Sequence, residues 1–223
     1  MVLCDRYFGY DRCMNTDIIT LVGYVVTLVI SLTVHEFAHA WAGHQLGDVT
    51  AKGEGRLTLN PLAHIDPLLT LALPLLLIIA GSPVVFGAAK PVPFNPYAVR
   101  HGKWGAALVA AAGPLSNLVM AAFVALYVRL FNLPSGVDQL LISFILVNLG
   151  FFVFNMLPIP PLDGSRVLYA AAPPALADVM DRIERFGLAG IMLILFLFYQ
   201  FLGPFIARIV GWLAYLLLGT SVL

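Results

Sequence analysis

The chain has 223 residues, 61% of them hydrophobic and 11% charged, with 12 Lys+Arg balanced by 12 Asp+Glu, and its mean hydropathy is +0.93. A soluble domain carries about 45–50% apolar and about 25% charged residues, so this balance excludes a disordered chain, a collagen-like chain and an ordinary soluble domain. A net charge of zero leaves no basic excess for nucleic acid, and two cysteines, Cys4 and Cys13, are too few for a disulfide scaffold. What remains is an all-α polytopic membrane protein in a lipid bilayer, with apolar runs too long to be strands.

In chain order, residues 1–17 are polar and carry Asp5, Arg6, Asp11, Arg12 and Asp17. They read as a short exposed, uncleaved tail, because the apolar run behind them exceeds a signal-peptide core and lacks an A-x-A site. The first span starts at Ile18 and extends to Leu46, where Gly47-Asp48 ends it. The polar stretch Asp48 to Asp66 contains the alternating Leu57-Thr58-Leu59, which predicts a short strand or hairpin. A second apolar run, Leu68 to Phe86, is broken by Pro74 and Gly81-Ser82-Pro83, and a Pro-rich loop from Lys90 to Pro96 follows. Further spans are expected over 105–131 and 139–157, separated by a tight turn at Asn132 to Gly136. After a mixed-charge segment, the last run starts near Leu188 and meets Gly203-Pro204, which allows one span plus an interfacial helix, or two spans. The whole is expected to be a single transmembrane domain, 1–223, with a core at 18–166 and C-terminal helices at 188–223.

The chemistry lies in the first span. His35-Glu36-Phe37-Ala38-His39 fits H-E-x-x-H. Four residues make about one helical turn, so both imidazoles lie on one face and can share a zinc ion, with Glu36 able to reach the metal-bound water as general base. Ionisable residues in a membrane-length apolar run are costly, by roughly 2.5–3.5 kcal/mol on insertion scales, and a functional site is the default explanation. A catalytic zinc needs a third protein ligand. The extended H-x-x-G-x-x-H continuation fails at Ala42 and Gln45, and His44 lies on another face. Asp48, Glu54, His64 and Asp66 are possible ligands, as is Asp163 in the proline-stiffened loop Pro160-Pro161-Leu162-Asp163-Gly164.

Length favours Asp163. Ile18 to His39 spans about 31 Å of helix and Gln139 to Leu157 about 27 Å, close to the hydrocarbon thickness of about 30 Å. If both helices run parallel, His39 and Asp163 arrive at the same face. The run 68–86 must then enter and return on one side as a re-entrant segment, buried in protein or facing water. Lys52, Arg56, Lys90, Arg100, Lys103, Arg166, Arg182 and Arg185 would share the site's side, against Arg6, Arg12 and Arg129 opposite. The positive-inside rule then opens the site toward the cytoplasm of a multi-pass cell-membrane protein.

Together, His35-Glu36-Phe37-Ala38-His39, Gly113-Pro114-Leu115-Ser116-Asn117 and the N-x-x-P-x-P-P-L-D-G run from Asn155 to Gly164 resemble the site-2 proteases, intramembrane zinc metalloproteases. Gly55 to Pro61 and Ala89 to Pro93 resemble a compact prokaryotic branch without PDZ or CBS domains. The resemblance implies one Zn2+ per chain on His35, His39 and Asp163, Glu36 as base and Asn155 near the reacting carbonyl. Asn117, beside Gly113 and small neighbours, reads first as helix packing. The implied activity is hydrolysis of peptide bonds in or near transmembrane segments of membrane-protein substrates, as in regulated intramembrane proteolysis. An extended substrate would add to a strand edge between Asp48 and Pro61 or to the re-entrant segment. The alternatives are a metal carrier and a catalytically silent protease-like binding protein.

Overall fold

The computed structural model describes residues 2–3, 14–15, 18–66, 72, 76, 90, 92–131, 133–184 and 187–219, without the side chains of 2–3, 14–15, 18–21, 135, 184 and 187–201. The predicted re-entrant segment, 68–86, lies almost wholly outside the described residues. Two short strands, β1 Val2–Leu3 and β2 Met14–Asn15, pair antiparallel in the tail. The remaining regular elements are helical: α1 Ile18–Gln45, α2 Thr50–Gly53, a 3-10 turn Pro61–Ala63, α3 Gly102–Leu130, α4 Ser135–Asn155, α5 Asp163–Ala171, α6 Pro174–Glu184 and α7 Gly187–Leu218.

Among the described residues, three helices are long and apolar enough to cross a membrane, Val22–Gln45, Gly102–Leu130 and Gly136–Asn155. They mark a membrane protein and coincide with the three spans expected from hydropathy. The last run, for which one or two helices are expected, forms one continuous helix of 32 residues with Pro204 inside it. A membrane helix tolerates proline when its freed backbone groups find other partners, so Gly203-Pro204 need not divide it.

The predicted hairpin at Leu57-Thr58-Leu59 is absent. Asn60 instead caps the 3-10 turn, its Oδ1 accepting from Leu62 N at 3.1 Å, and Pro61 occupies the first turn. A proline has no N–H to give a strand ladder. Side chains tie this loop together: Arg56 Nη1 donates to the Ala63 carbonyl, and buried His64 uses Nε2 on the Thr58 carbonyl at 2.8 Å. With no strand between Asp48 and Pro61, that stretch offers no sheet edge for a substrate.

Contacts along the helices fix their directions. Tyr24 meets Ser143 and Ser31 meets Asn148, so the residue numbers rise together and α1 runs parallel to α4. Ser31 meets Asn117 while His39 meets Val109, so α3 runs antiparallel to α1. Ala121 and Ala125 of α3, Ile145, Leu149 and Val153 of α4, and Val210, Ala214 and Leu218 of α7 form the apolar core. Small alanines let the backbones approach closely, which is how helices associate where lipid removes the hydrophobic driving force between them. The core lies toward the end opposite His39 and leaves the α1 C-terminal end for polar residues.

Candidate metal centre

α1 ends in a glycine cap. Gly47, at φ 107, takes the left-handed conformation, with Gly47 N bonded to the His44 carbonyl and Asp48 N to the Gly43 carbonyl. This pair of bonds is the Schellman arrangement, which glycine permits because it lacks a Cβ. His39 lies six residues inside that end, about 9 Å of helix. From the other side, α4 ends at Asn155, and the proline-rich turn brings Asp163 to the first position of α5. Gly164 makes this return possible: a Cβ there would collide with the carbonyls of Met156 and Leu157.

The two approaches meet. His35 Nε2 and His39 Nε2 are 3.0 Å apart, and Asp163 Oδ2 lies 3.2 Å from His35 Nε2 and 3.3 Å from His39 Nε2. The rings stand edge to face, with centroids 4.7 Å apart. Both outer nitrogens are engaged. His35 Nδ1 donates to Asn117 Oδ1 at 2.6 Å, and His39 Nδ1 donates to the Val109 carbonyl at 2.8 Å. A neutral imidazole that donates at Nδ1 presents a bare lone pair at Nε2. Asp163 turns its Oδ2 toward these two ring nitrogens.

Three electron-rich atoms converging on one point call for a cation between them. Donors at about 2.0–2.1 Å from a tetrahedral zinc stand about 3.3 Å apart, so the observed triangle fits that ion. Space is reserved as well. A Cβ on Gly113 would lie 2.7 Å from His35 Nε2 and 2.6 Å from His39 Cε1, and closer still to His39 Nε2. Among the described residues, His35, His39 and Asp163 are the one group of three that could hold a metal.

The surrounding cavity, of about 250 Å3, is lined also by Glu36, Asp48, Val92, Phe94, Asn155 and Arg166. Glu36 Oε2 accepts from Val92 N at a long 3.3 Å. Asn155 Nδ2 donates to its own helix at the Phe151 carbonyl, 3.1 Å, leaving its second hydrogen for another acceptor. The other candidate ligands lie outside the triangle. Glu54 is exposed, buried His64 is turned to Thr58, and His44 Nδ1 is buried with no partner among the described residues. Asp66 does not join the group. Asp48 reaches the cavity but is fully engaged: Oδ1 accepts from Thr50 N and Oγ1, and Oδ2 from Asn95 N. Burial raises its carboxyl, and the Thr50 hydroxyl and the two backbone N–H groups overcome this and lower it.

Sequence reasoning placed Gly113 and Asn117 in helix packing, whereas both also touch the histidines. Val109, Gly113 and Asn117 are four apart, one stripe of α3 facing α1. That spacing was the available signal.

Among curated proteins, the chain is 38% identical over 196 residues to "Putative zinc metalloprotease YwhC" of Bacillus subtilis, covering 83% of this chain and 85% of that protein. It is 35% identical over 173 residues to the protein of the same designation called Rip2 in Mycobacterium tuberculosis, covering 76% and 64% respectively. With Rip2 of Mycolicibacterium smegmatis it shares 35% over 156 residues, 69% of this chain but 57% of the relative. No family model and no solved structure matches the chain. Identity of this degree across most of both chains, joined to an H-E-x-x-H pair that meets Asp163 at the end of an apolar helix, places the protein among its relatives: it belongs to the site-2 protease family.

Proposed function

We propose that this chain is a zinc metalloendopeptidase that cleaves peptide bonds in or beside transmembrane segments of membrane-protein substrates. His35, His39 and Asp163 hold one Zn2+ per chain, Glu36 is the general base and Asn155 binds the reacting carbonyl. The observation that carries this reading is the triangle of two Nε2 atoms and a carboxylate oxygen, 3.0–3.3 Å on a side, two of whose corners stand on a helix apolar enough to cross a membrane.

Zinc held by His35, His39 and Asp163 would supply Lewis acidity, polarising a carbonyl and lowering the pKa of a water toward about 7, within reach of a carboxylate base. The remaining work belongs to the chain. Glu36 follows His35 directly and lines the same cavity. Its carboxylate takes the proton of the attacking water and passes it to the leaving amine. The weak contact to Val92 N leaves it acceptor capacity. Asn155 turns its second amide hydrogen to the carbonyl oxygen as negative charge develops there. The substrate segment must be unwound at the scissile bond, because an intact helix commits its carbonyls to internal hydrogen bonds. Lys52, Arg100, Lys103, Arg166 and Arg182 lie at or beyond the helix ends that carry the site, which supports a multi-pass cell-membrane protein opening to the cytoplasm.

The test is Glu36→Gln, assayed on transmembrane segments reconstituted with the protein in liposomes. Cleavage should fall by roughly 10²–10⁴-fold, the usual worth of a general base, while the metal content stays at one zinc per chain. Undiminished cleavage would remove Glu36 from the mechanism, and a chain without zinc would remove the reading as a whole.

A further inference from the structure

Three polar side chains from three helices meet in the interior beside the metal centre. Ser31 of α1, Asn117 of α3 and Asn148 of α4 are all fully buried. Such groups are costly in an apolar bundle unless each finds a partner. Here every partner has a defined sense. The Phe144 carbonyl only accepts, so Asn148 must turn Nδ2 to it, 2.9 Å away, and the same nitrogen reaches Ser31 Oγ at 2.9 Å. Asn148 Oδ1 therefore faces Asn117, which must present Nδ2, at 2.8 Å. Asn117 Nδ2 also meets the Ser31 carbonyl, 3.2 Å away, another obligate acceptor. Only Oδ1 of Asn117 is left for His35, and it can only accept, so the hydrogen belongs on His35 Nδ1. Flipping the Asn117 amide would set oxygen against two acceptors and NH2 against the ring N–H.

We infer that Asn117, held in orientation by Ser31 and Asn148, is a positioning residue that fixes His35 as its Nδ1–H tautomer and so aims the Nε2 lone pair at the metal position. His39 receives the same instruction from a backbone carbonyl, that of Val109, which no side-chain substitution removes. His35 depends on a side chain, and is the ligand that substitution can disorient. The inference rests on the metal reading above but concerns the ring's proton, which exists with or without metal. Partners of this kind orient ligating imidazoles and raise their basicity, and their loss costs roughly 10–100-fold in metal affinity.

Two measurements test it. Nitrogen-15 NMR of metal-free protein, labelled at histidine and held at a pH where the rings are neutral, reports the tautomer; the Nδ1–H form is expected for His35. An Nε2–H form overturns the inference whether or not the wild type binds zinc. A chain that binds no zinc yet shows the Nδ1–H form refutes the metal reading and leaves the tautomer relay standing. Zinc affinity, read by chelator competition, should fall roughly 10–100-fold in Asn117→Leu, and the histidine nitrogen-15 spectrum of that variant should show the His35 tautomers mixed. Equal affinity in Asn117→Leu and wild type overturns the inference. Should Asn117→Leu fail to fold, Asn148→Leu, which never touches the ring, must still weaken zinc several-fold and mix the tautomers, and wild-type behaviour there overturns the relay.

Discussion

At Gly113 a hydrogen atom occupies the place where any other residue would put carbon against both imidazoles. A glycine inside a helix costs about 1 kcal/mol relative to alanine, so Gly113→Ala ought to strengthen α3 on propensity alone. The close approach reverses the sign. The added methyl must displace one ring or part the helices, at about 1–3 kcal/mol for overpacking a tight site. The expected result is a protein that keeps its helical circular dichroism but loses most of its bound zinc, read by metal analysis after gel filtration. Full zinc occupancy in Gly113→Ala would show that α1 and α3 separate freely. The H-E-x-x-H spacing made His35, Glu36 and His39 legible in the sequence because it directly encodes one face of a helix. The contribution of Gly113 was hidden, since a small residue in an apolar run announces close packing without naming its neighbour.

At the scale of elements, Asp48 joins two segments that the sequence separates. The Schellman turn after α1 delivers its carboxylate beneath the Pro-rich loop, where Thr50 and Asn95 donate to it. These hydrogen bonds lower its carboxyl relative to the free side chain. A lowered folded-state value means that the unfolded chain binds the proton more readily, so this contribution is complete above about pH 4, the ordinary carboxylate value, and fades as pH falls through the folded value. Thermal melts from pH 7 to pH 3 should show wild type approaching Asp48→Asn in stability at the acid end. At neutral pH the variant should be less stable by about 0.5–1.5 kcal/mol, because one of these hydrogen bonds is lost where an amide nitrogen faces a donor. Parallel melting curves at every pH would contradict the assignment. The hairpin expected at Leu57-Thr58-Leu59 failed at this same scale: three alternating residues are a weak strand signal, and Asn60-Pro61 is a strong turn signal. The continuous α7 likewise shows that Gly203-Pro204 marks a break less firmly in an apolar helix than in a soluble one.

For the whole molecule, hydropathy carried the three central spans, and helix length showed that, if α1 and α4 run parallel, Asp163 reaches the histidines, as it does here. What neither argument reached is the face that the antiparallel middle helix turns to the site. α3 contributes no donor to the triangle, yet Val109, Gly113 and Asn117 address it from a single stripe. Such a stripe is a matter of rotational phase. One alanine inserted between Leu115 and Ser116 would turn everything after it by about 100°, swinging Asn117 toward lipid while barely altering hydropathy. The same insertion after Pro134, in the turn, changes no helical phase. Zinc retention should therefore collapse in the first variant and survive in the second, and off the Val109–Gly113–Asn117 stripe the middle of α3 should tolerate exchanged letters far better than added ones.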